Sequence, residues 1–263
     1  MTRDEEAILA ANRKEVYLSA ISALERGFRN IEQQVPKPEE VKFGNYSRFR
    51  YPNQEIEAAI FLKLARLISL VKTLDLLLDH GRVQELCILQ RSVEETNEDI
   101  LFLSLAITEN DRTPKHDQFL SEFWTEDYTD PDDPIRSRIP KGYSRGNVRS
   151  YINRALKQPD PSTMDQIGRS IYEMYSGFLH GSAPHIFELF DENTQVFRSD
   201  GIKGSMRLID YILDAQNSFY RSLLSLQCTI KAFGLAELLD EVKSDIDTFV
   251  LAIGKADLLR DPK

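Results

Sequence analysis

The segment Ala58 to Leu78, AAIFLKLARLISLVKTLDLLL, is apolar around most of a helical circumference. A helix of that kind cannot lie on a surface, because every side of it must be covered by other elements. Lys63, Arg66, Lys72 and Asp75 interrupt it, so it falls short of the roughly 18 uncharged apolar residues of a membrane span. Asn53 is suited to cap this helix from about Gln54, and His80-Gly81 after Asp79 supplies the stop, with glycine free to turn left-handed. A third helix then runs from about Arg82 to Thr108 and folds back on the second as an antiparallel hairpin. The expected fold is therefore all-α: one helical domain over residues 1–263, a bundle of about eight or nine helices built around that hairpin.

The flanking sequence supplies the cover. Ile8, Ala11, Val16, Ala20, Leu24, Phe28 and Ile31 make one stripe on a first helix from Arg3 to Val35, which Pro36 and Pro38 end. The aromatic and basic stretch VKFGNYSRFRYPN reads as an ordered loop that packs Phe43, Tyr46, Phe49 and Tyr51 on the bundle, with substrate stacking as the alternative. Thr113-Pro114 starts a short helix through Phe119, Phe123 and Trp124. Residues 126–147 contain three prolines and read as a mobile loop or lid, followed by a short helix from Val148 to Leu156. Ser162 with Asp165 resembles a capping box, opening a helix to Leu179 that has Ile167, Ile171, Met174 and Phe178 on one face. His180-Gly181 repeats the earlier stop. Residues 191–204 read as loop or hairpin, with a small β-hairpin expected near 195–203 at the Asp200-Gly201 turn. Helices from Ser205 to Phe233 and Leu235 to Ile253 close the bundle.

A net charge of -9 disfavours a general electrostatic grip on nucleic acid. A local exception runs from Ile135 to Lys157, which holds seven Lys or Arg and no acid. Arg145 and Arg149 are its candidate phosphate contacts, and Tyr143 and Tyr151 could stack on bases; the alternative is a solvated basic run that balances the acids before it. Cys87 and Cys228, the two cysteines of the chain, sit in apolar patterns and argue against a disulfide framework. The opening MTRDEEAILAANRKE is acidic where a secretory signal would be basic and then apolar. A cytoplasmic protein without membrane contact is expected.

Chemistry concentrates in two stretches. LCILQRSVEETNEDILFLSL carries Arg91, Glu94, Glu95, Glu98 and Asp99; YEMYSGFLHGSAPHIFELFD carries Tyr175, Ser176, His180, Ser182 and His185. Arg91 and Glu95 can pair at i, i+4, whereas Glu94 with Glu98 and Glu95 with Asp99 repel at that spacing unless a cation or basic partner intervenes. The expectation is a polar pocket joining Arg91, Glu95, Tyr175 and His180, bordered by Glu94, Ser176, Ser182 and His185, with Glu95, Glu98 and His180 as candidate metal ligands. No cofactor is indicated. EExxE at Glu94, Glu95 and Glu98 matches half of the acidic signature of all-α nucleotide pyrophosphohydrolases, but the nearest ExxD, Glu188 to Asp191, lies far along the chain. The Glu-x-x-His pairs of ferritin-like di-iron proteins, HExxH and GxSxG are all missing. Ser176 and His180 can meet on one helical turn, as nucleophile and base or as a simple hydrogen-bonded pair.

LLLDHGRVQELCILQRSVEETNEDILFL together with YEMYSGFLHGSAP resembles a group of bacterial all-helical domains of unknown function, which carry an Arg-Ser-x-x-Glu helix and a later Tyr, Ser and His-Gly-Ser motif. The matching positions are Arg91, Ser92, Glu94 or Glu95, Tyr172 or Tyr175, Ser176, His180, Gly181 and Ser182. The resemblance implies a helical bundle and no established reaction. These domains are distantly similar to HEPN-type proteins, many of which act on RNA in bacterial conflict, but the HEPN spacing of Arg and His is missing. Two readings follow: a helical protein that is homo-oligomeric or bound to a protein partner and holds a partner or small ligand at the polar pocket, or an enzyme acting on nucleic acid or nucleotides.

Overall fold

The computed structural model describes residues 3–130, 132–140 and 142–259, and among them the chain forms nine α-helices and two small antiparallel strand pairs. The order is α1 (Arg3–Glu32), β1 (Glu39–Phe43), β2 (Tyr46–Arg50), α2 (Ile56–His80), α3 (Val83–Thr108), α4 (Pro114–Trp124), α5 (Arg145–Ala155), α6 (Pro161–Leu179), α7 (Ala183–Ile186), β3 (Phe190–Asp191), β4 (Val196–Phe197), α8 (Leu208–Ala232) and α9 (Ala236–Ala252). It is the all-α bundle expected from the apolar pattern.

α2 is surrounded by α1, α3 and α8, and it buries residues on all sides from Ile56 to Leu78. Its one buried acid, Asp75, is held by Arg13 at 3.0 Å and Lys14 at 2.5 Å, which ties α1 to α2. α8 runs through the centre, against α1, α2, α3 and α9. Tyr17 of α1 stacks on Phe219 of α8 with ring centroids 4.0 Å apart and donates to the Ile212 carbonyl. Towards α3, α8 presents Ser218, Ser222, Ser225 and Thr229, all buried. Ser222 and Thr229 donate to carbonyls one turn back and Ser225 donates to Asn97 of α3, so these small polar residues let the helices approach without unmet hydroxyls.

The α2–α3 connection is the expected tight turn. Gly81 has φ 66° and donates to Leu78 O. Asp200-Gly201 does not form the tip of a hairpin; Ile202 donates to Gly81 O at 2.9 Å, so residues 201–203 lie against the α2–α3 turn. The strand pair of this region is β3 with β4, pairing Phe190 with Phe197 and Asp191 with Val196.

Three local expectations are corrected. VKFGNYSRFRYPN is largely a β-hairpin, β1 paired with β2 around Gly44-Asn45; both faces of β2 are open, which leaves Tyr46 and Phe49 exposed, and Tyr51, just beyond it, is buried, while the Phe43 side chain lies outside the described residues. α2 starts from Glu55 without a side-chain cap, not from Asn53. α6 is capped by Asp160, which accepts from Thr163 N–H and from the Ser162 and Thr163 hydroxyls, rather than by a Ser162–Asp165 box; Pro161 at its first position, having no amide hydrogen, fixes where the helix begins. Residues 127–139 cross-link to themselves through Thr129 N to Ser137 O and Ile139 N to Asp127 O. The Glu122 carboxylate then receives the amides of Gly142 and Tyr143.

Candidate functional site

α3 carries its charged residues on the side that faces α5, α6 and α8, and each acid there meets a base. Glu98 accepts from Arg149 at 2.9 Å and from Arg145 at 2.5 Å, both on α5. Asp99 accepts from Arg145 and, at 2.7 Å, from Lys63 of α2. Glu94 pairs with Arg221 of α8. Glu95 pairs with Arg91 at 3.1 Å, one turn away on α3 itself. The like-charge repulsion along α3 is thus relieved by cations of the same chain.

Arg91 also lies over the Tyr172 ring, 3.8 Å from its centroid, and donates to its hydroxyl. Tyr175 is buried on α6 and donates to Asp214 of α8 at 3.2 Å; Asp214 accepts from Gln90 at 2.9 Å as well. Burial, reinforced by Asp214, pushes the Tyr175 phenol well above its ordinary range, so this residue is a hydrogen-bond donor at any physiological pH. Burial raises the Glu94 carboxyl too, against the pull of Arg221. At Arg145 burial opposes the charge, but Asp99 and Glu98 outweigh it and raise the guanidinium pKa. What remains open among Arg91, Glu94, Glu95, Glu98, Arg149, Tyr172, Tyr175 and Arg221 is a cavity of about 30 Å³, room for roughly one water molecule.

Arg91, Glu95 and Tyr175 therefore border one cavity, as expected, and Glu94 and Arg149 join them. His180 does not. It caps the C-terminus of α6, exposed, and eight residues of helix separate it from Tyr172, about 12 Å along the axis. The Ser176 carbonyl accepts from the His180 amide at 3.0 Å. Ser182 is exposed at the start of α7. His185 packs its ring on Phe178, 4.2 Å between centroids, in space that exists because residue 177 is glycine: a Cβ there would fall 2.1 Å from the imidazole. Glu95, Glu98 and His180 are accordingly not gathered as metal ligands, and among the described residues no three His, Cys, Asp or Glu side chains are placed to hold an ion.

Four of the seven bases of the basic run have partners within the chain. Arg145 and Arg149 serve Glu98 and Asp99, Arg154 pairs with Asp111 at 3.1 Å, and Arg136 sits 3.9 Å from Asp133. Tyr151 is buried and donates to Asp111 O; Tyr143 packs edge-on against Phe119. Lys141 lies outside the described residues. Lys63, Asp214 and Arg221 were missed in the sequence because they lie on α2 and α8, far along the chain from α3, and only packing brings them to it. No described helix is long and apolar enough to cross a membrane. In comparisons with known protein families, with curated proteins and with solved structures, nothing matches this chain.

Proposed function

We propose that this protein is a binding module that works by helix pairing rather than by catalysis, and that a second copy of the chain is the partner. The observation that carries this reading is the outer stripe of α6. Met164, Ile167 and Met174 are 40%, 46% and 43% exposed, and with Ile171 and Phe178 they stand at i, i+3, i+7, i+10 and i+14. That is the spacing of a helix-pairing seam. Ile167 and Met174 flank a midpoint between Ser170 and Ile171, so a two-fold axis there sets Ile167 of one copy opposite Met174 of the other, an isologous arrangement. At 100° per residue the open flank of the stripe holds Gln166 and Ser170, neither of them charged. α7 and the β3–β4 pair, next along the chain, add exposed Ile186, Phe187, Val196 and Phe197.

The network beneath α6 supports the same reading, since a cavity of about 30 Å³ leaves no place for a substrate, and Tyr172 on Arg91 and Tyr175 on Asp214 tie that side of α6 to α3 and α8.

A single helix pair buries little area, so the dimer should be weak, with a Kd on the order of 10 µM. Sedimentation equilibrium from about 1 to 100 µM should show monomer passing to dimer, and Ile167→Glu with Met174→Glu should hold the chain monomeric while leaving its melting temperature within a degree or two. A wild-type chain that stays monomeric over that range sinks the proposal.

A further inference from the structure

Between the β1–β2 hairpin, the first turns of α2 and the end of α4 lies a cleft of about 530 Å³, walled by Phe49, Tyr51, Phe61, Phe123 and Trp124. That volume falls in the range of small-molecule sites, whose walls are mostly apolar and aromatic. The rings do not lie flat on one another: Tyr51 meets Trp124 edge-on with centroids 6.2 Å apart, and Phe123 meets Trp124 edge-on at 4.8 Å. Phe49 lines the cleft yet is 67% exposed, so its ring is left for an occupant to cover. A flat aromatic body suits these walls better than an aliphatic chain, because aromatic pairs attract beyond the area they bury.

Four charged residues line the cleft, Glu32, Lys37, Arg50 and Glu126, and three of them are answered within the chain. Arg50 binds Glu126 at 2.5 Å, and Glu32 is bound by Arg29 at 2.8 Å. Lys37 has no ion pair among the described residues. It stands between Pro36 and Pro38; a proline ring fixes its own φ and holds the residue before it extended. The backbone that carries Lys37 is therefore rigid, which keeps its ammonium within reach of the rim of an apolar cavity and without a counter-charge. A cationic ligand would find both acids already taken, and an uncharged one would leave Lys37 as it is. A carboxylate completes the set. The net charge of -9 does not oppose this, since charges on the rest of the surface are screened over about 8 Å at physiological salt.

We infer that this cleft binds a flat aromatic monocarboxylate of one or two fused rings, with its rings against Phe49, Tyr51 and Trp124 and its carboxylate on the Lys37 ammonium. The inference stands apart from the pairing surface of α6.

The test is isothermal titration of the full chain with 2-naphthoate and with 2-naphthamide, which has the same rings and no charge. One naphthoate per chain is expected, with a Kd on the order of 100 µM. Naphthamide should bind about fourfold more weakly, the worth of a single ion pair beside water. Lys37→Gln should bring the acid down to the affinity of the amide and leave the amide where it was. Phe49→Ala, at an exposed position where folding is not at stake, should weaken both about tenfold. Phe197→Ser, on the other hairpin, should change neither. Equal affinity for acid and amide in the unaltered chain, an acid preference that survives Lys37→Gln, octanoate bound as tightly as naphthoate, or no binding heat with naphthoate up to about 1 mM would each overturn the assignment.

Discussion

His116 stands where an N-terminal capping box ordinarily has Glu or Gln. Its Nδ1 accepts from the Thr113 amide at 2.9 Å, and its Nε2 lies 3.2 Å from Phe102 O, so the neutral ring protonated on Nε2 meets both demands. The ring is fully buried and stacks on Phe102 at 4.0 Å. Burial depresses its pKa below the ordinary 6.5, and protonation would also turn Nδ1 into a donor facing a donor. The unfolded chain therefore binds this proton more readily than the folded one. Stability from His116 is present above about 6.5 and is lost as pH falls towards the lowered value. Urea denaturation midpoints followed from pH 7 to about 5 should decline, and His116→Ala should remove that part of the slope and cost about 3 kcal/mol at neutral pH. Glu98 offers a second test at this scale. Its side chain is 12% exposed and serves two arginines, so Glu98→Gln leaves Arg149 without its carboxylate while Arg145 keeps Asp99, and it should cost about 2–3 kcal/mol in chemical denaturation. A loss under 0.5 kcal/mol would mean water already screens the network.

Among the elements, the α2–α3 turn and the segment that covers it depend on close backbone approach. Gly201 has φ 100°, and a Cβ there would fall 2.6 Å from Gly81 O. Gly201→Ala should destabilise by about 2–4 kcal/mol, from a strained backbone together with a clash that neither side can relieve by rotating a side chain; calorimetry would show whether it does. α6 shows how an amphipathic pattern is necessary for burial without ensuring it. Ile167, Ile171, Met174 and Phe178 do share a face, but α3 covers the neighbouring side, so Phe178 and Tyr175 are buried while Ile167 and Met174 are not. The β1–β2 hairpin was present in the sequence as Gly44-Asn45 between extended residues, a two-residue turn signal. Its aromatic residues suggested packing instead, but both faces of β2 are open, so Tyr46 and Phe49 stand in solvent.

For the whole molecule, the prediction is that the α6 stripe brings two copies together, so the melting temperature should rise as protein concentration is raised from about 1 to 100 µM, and a constant value would count against the pairing. What the sequence alone determined is everything that rests on short-range chemistry: the all-α class, the buried α2 and its hairpin with α3, the left-handed stops at Gly81 and Gly181, and the concentration of charge on α3. Those signals act within a few residues, through periodicity, missing amides and glycine torsions. Only the tertiary structure decided that Lys63, Arg145, Arg149 and Arg221 close that charge from three other helices, that His180 stays outside it, and that Phe49 and Trp124 frame an open cleft. Each of these outcomes depends on which faces meet across the chain, where burial and ion pairing between distant residues, rather than local preference, select the arrangement.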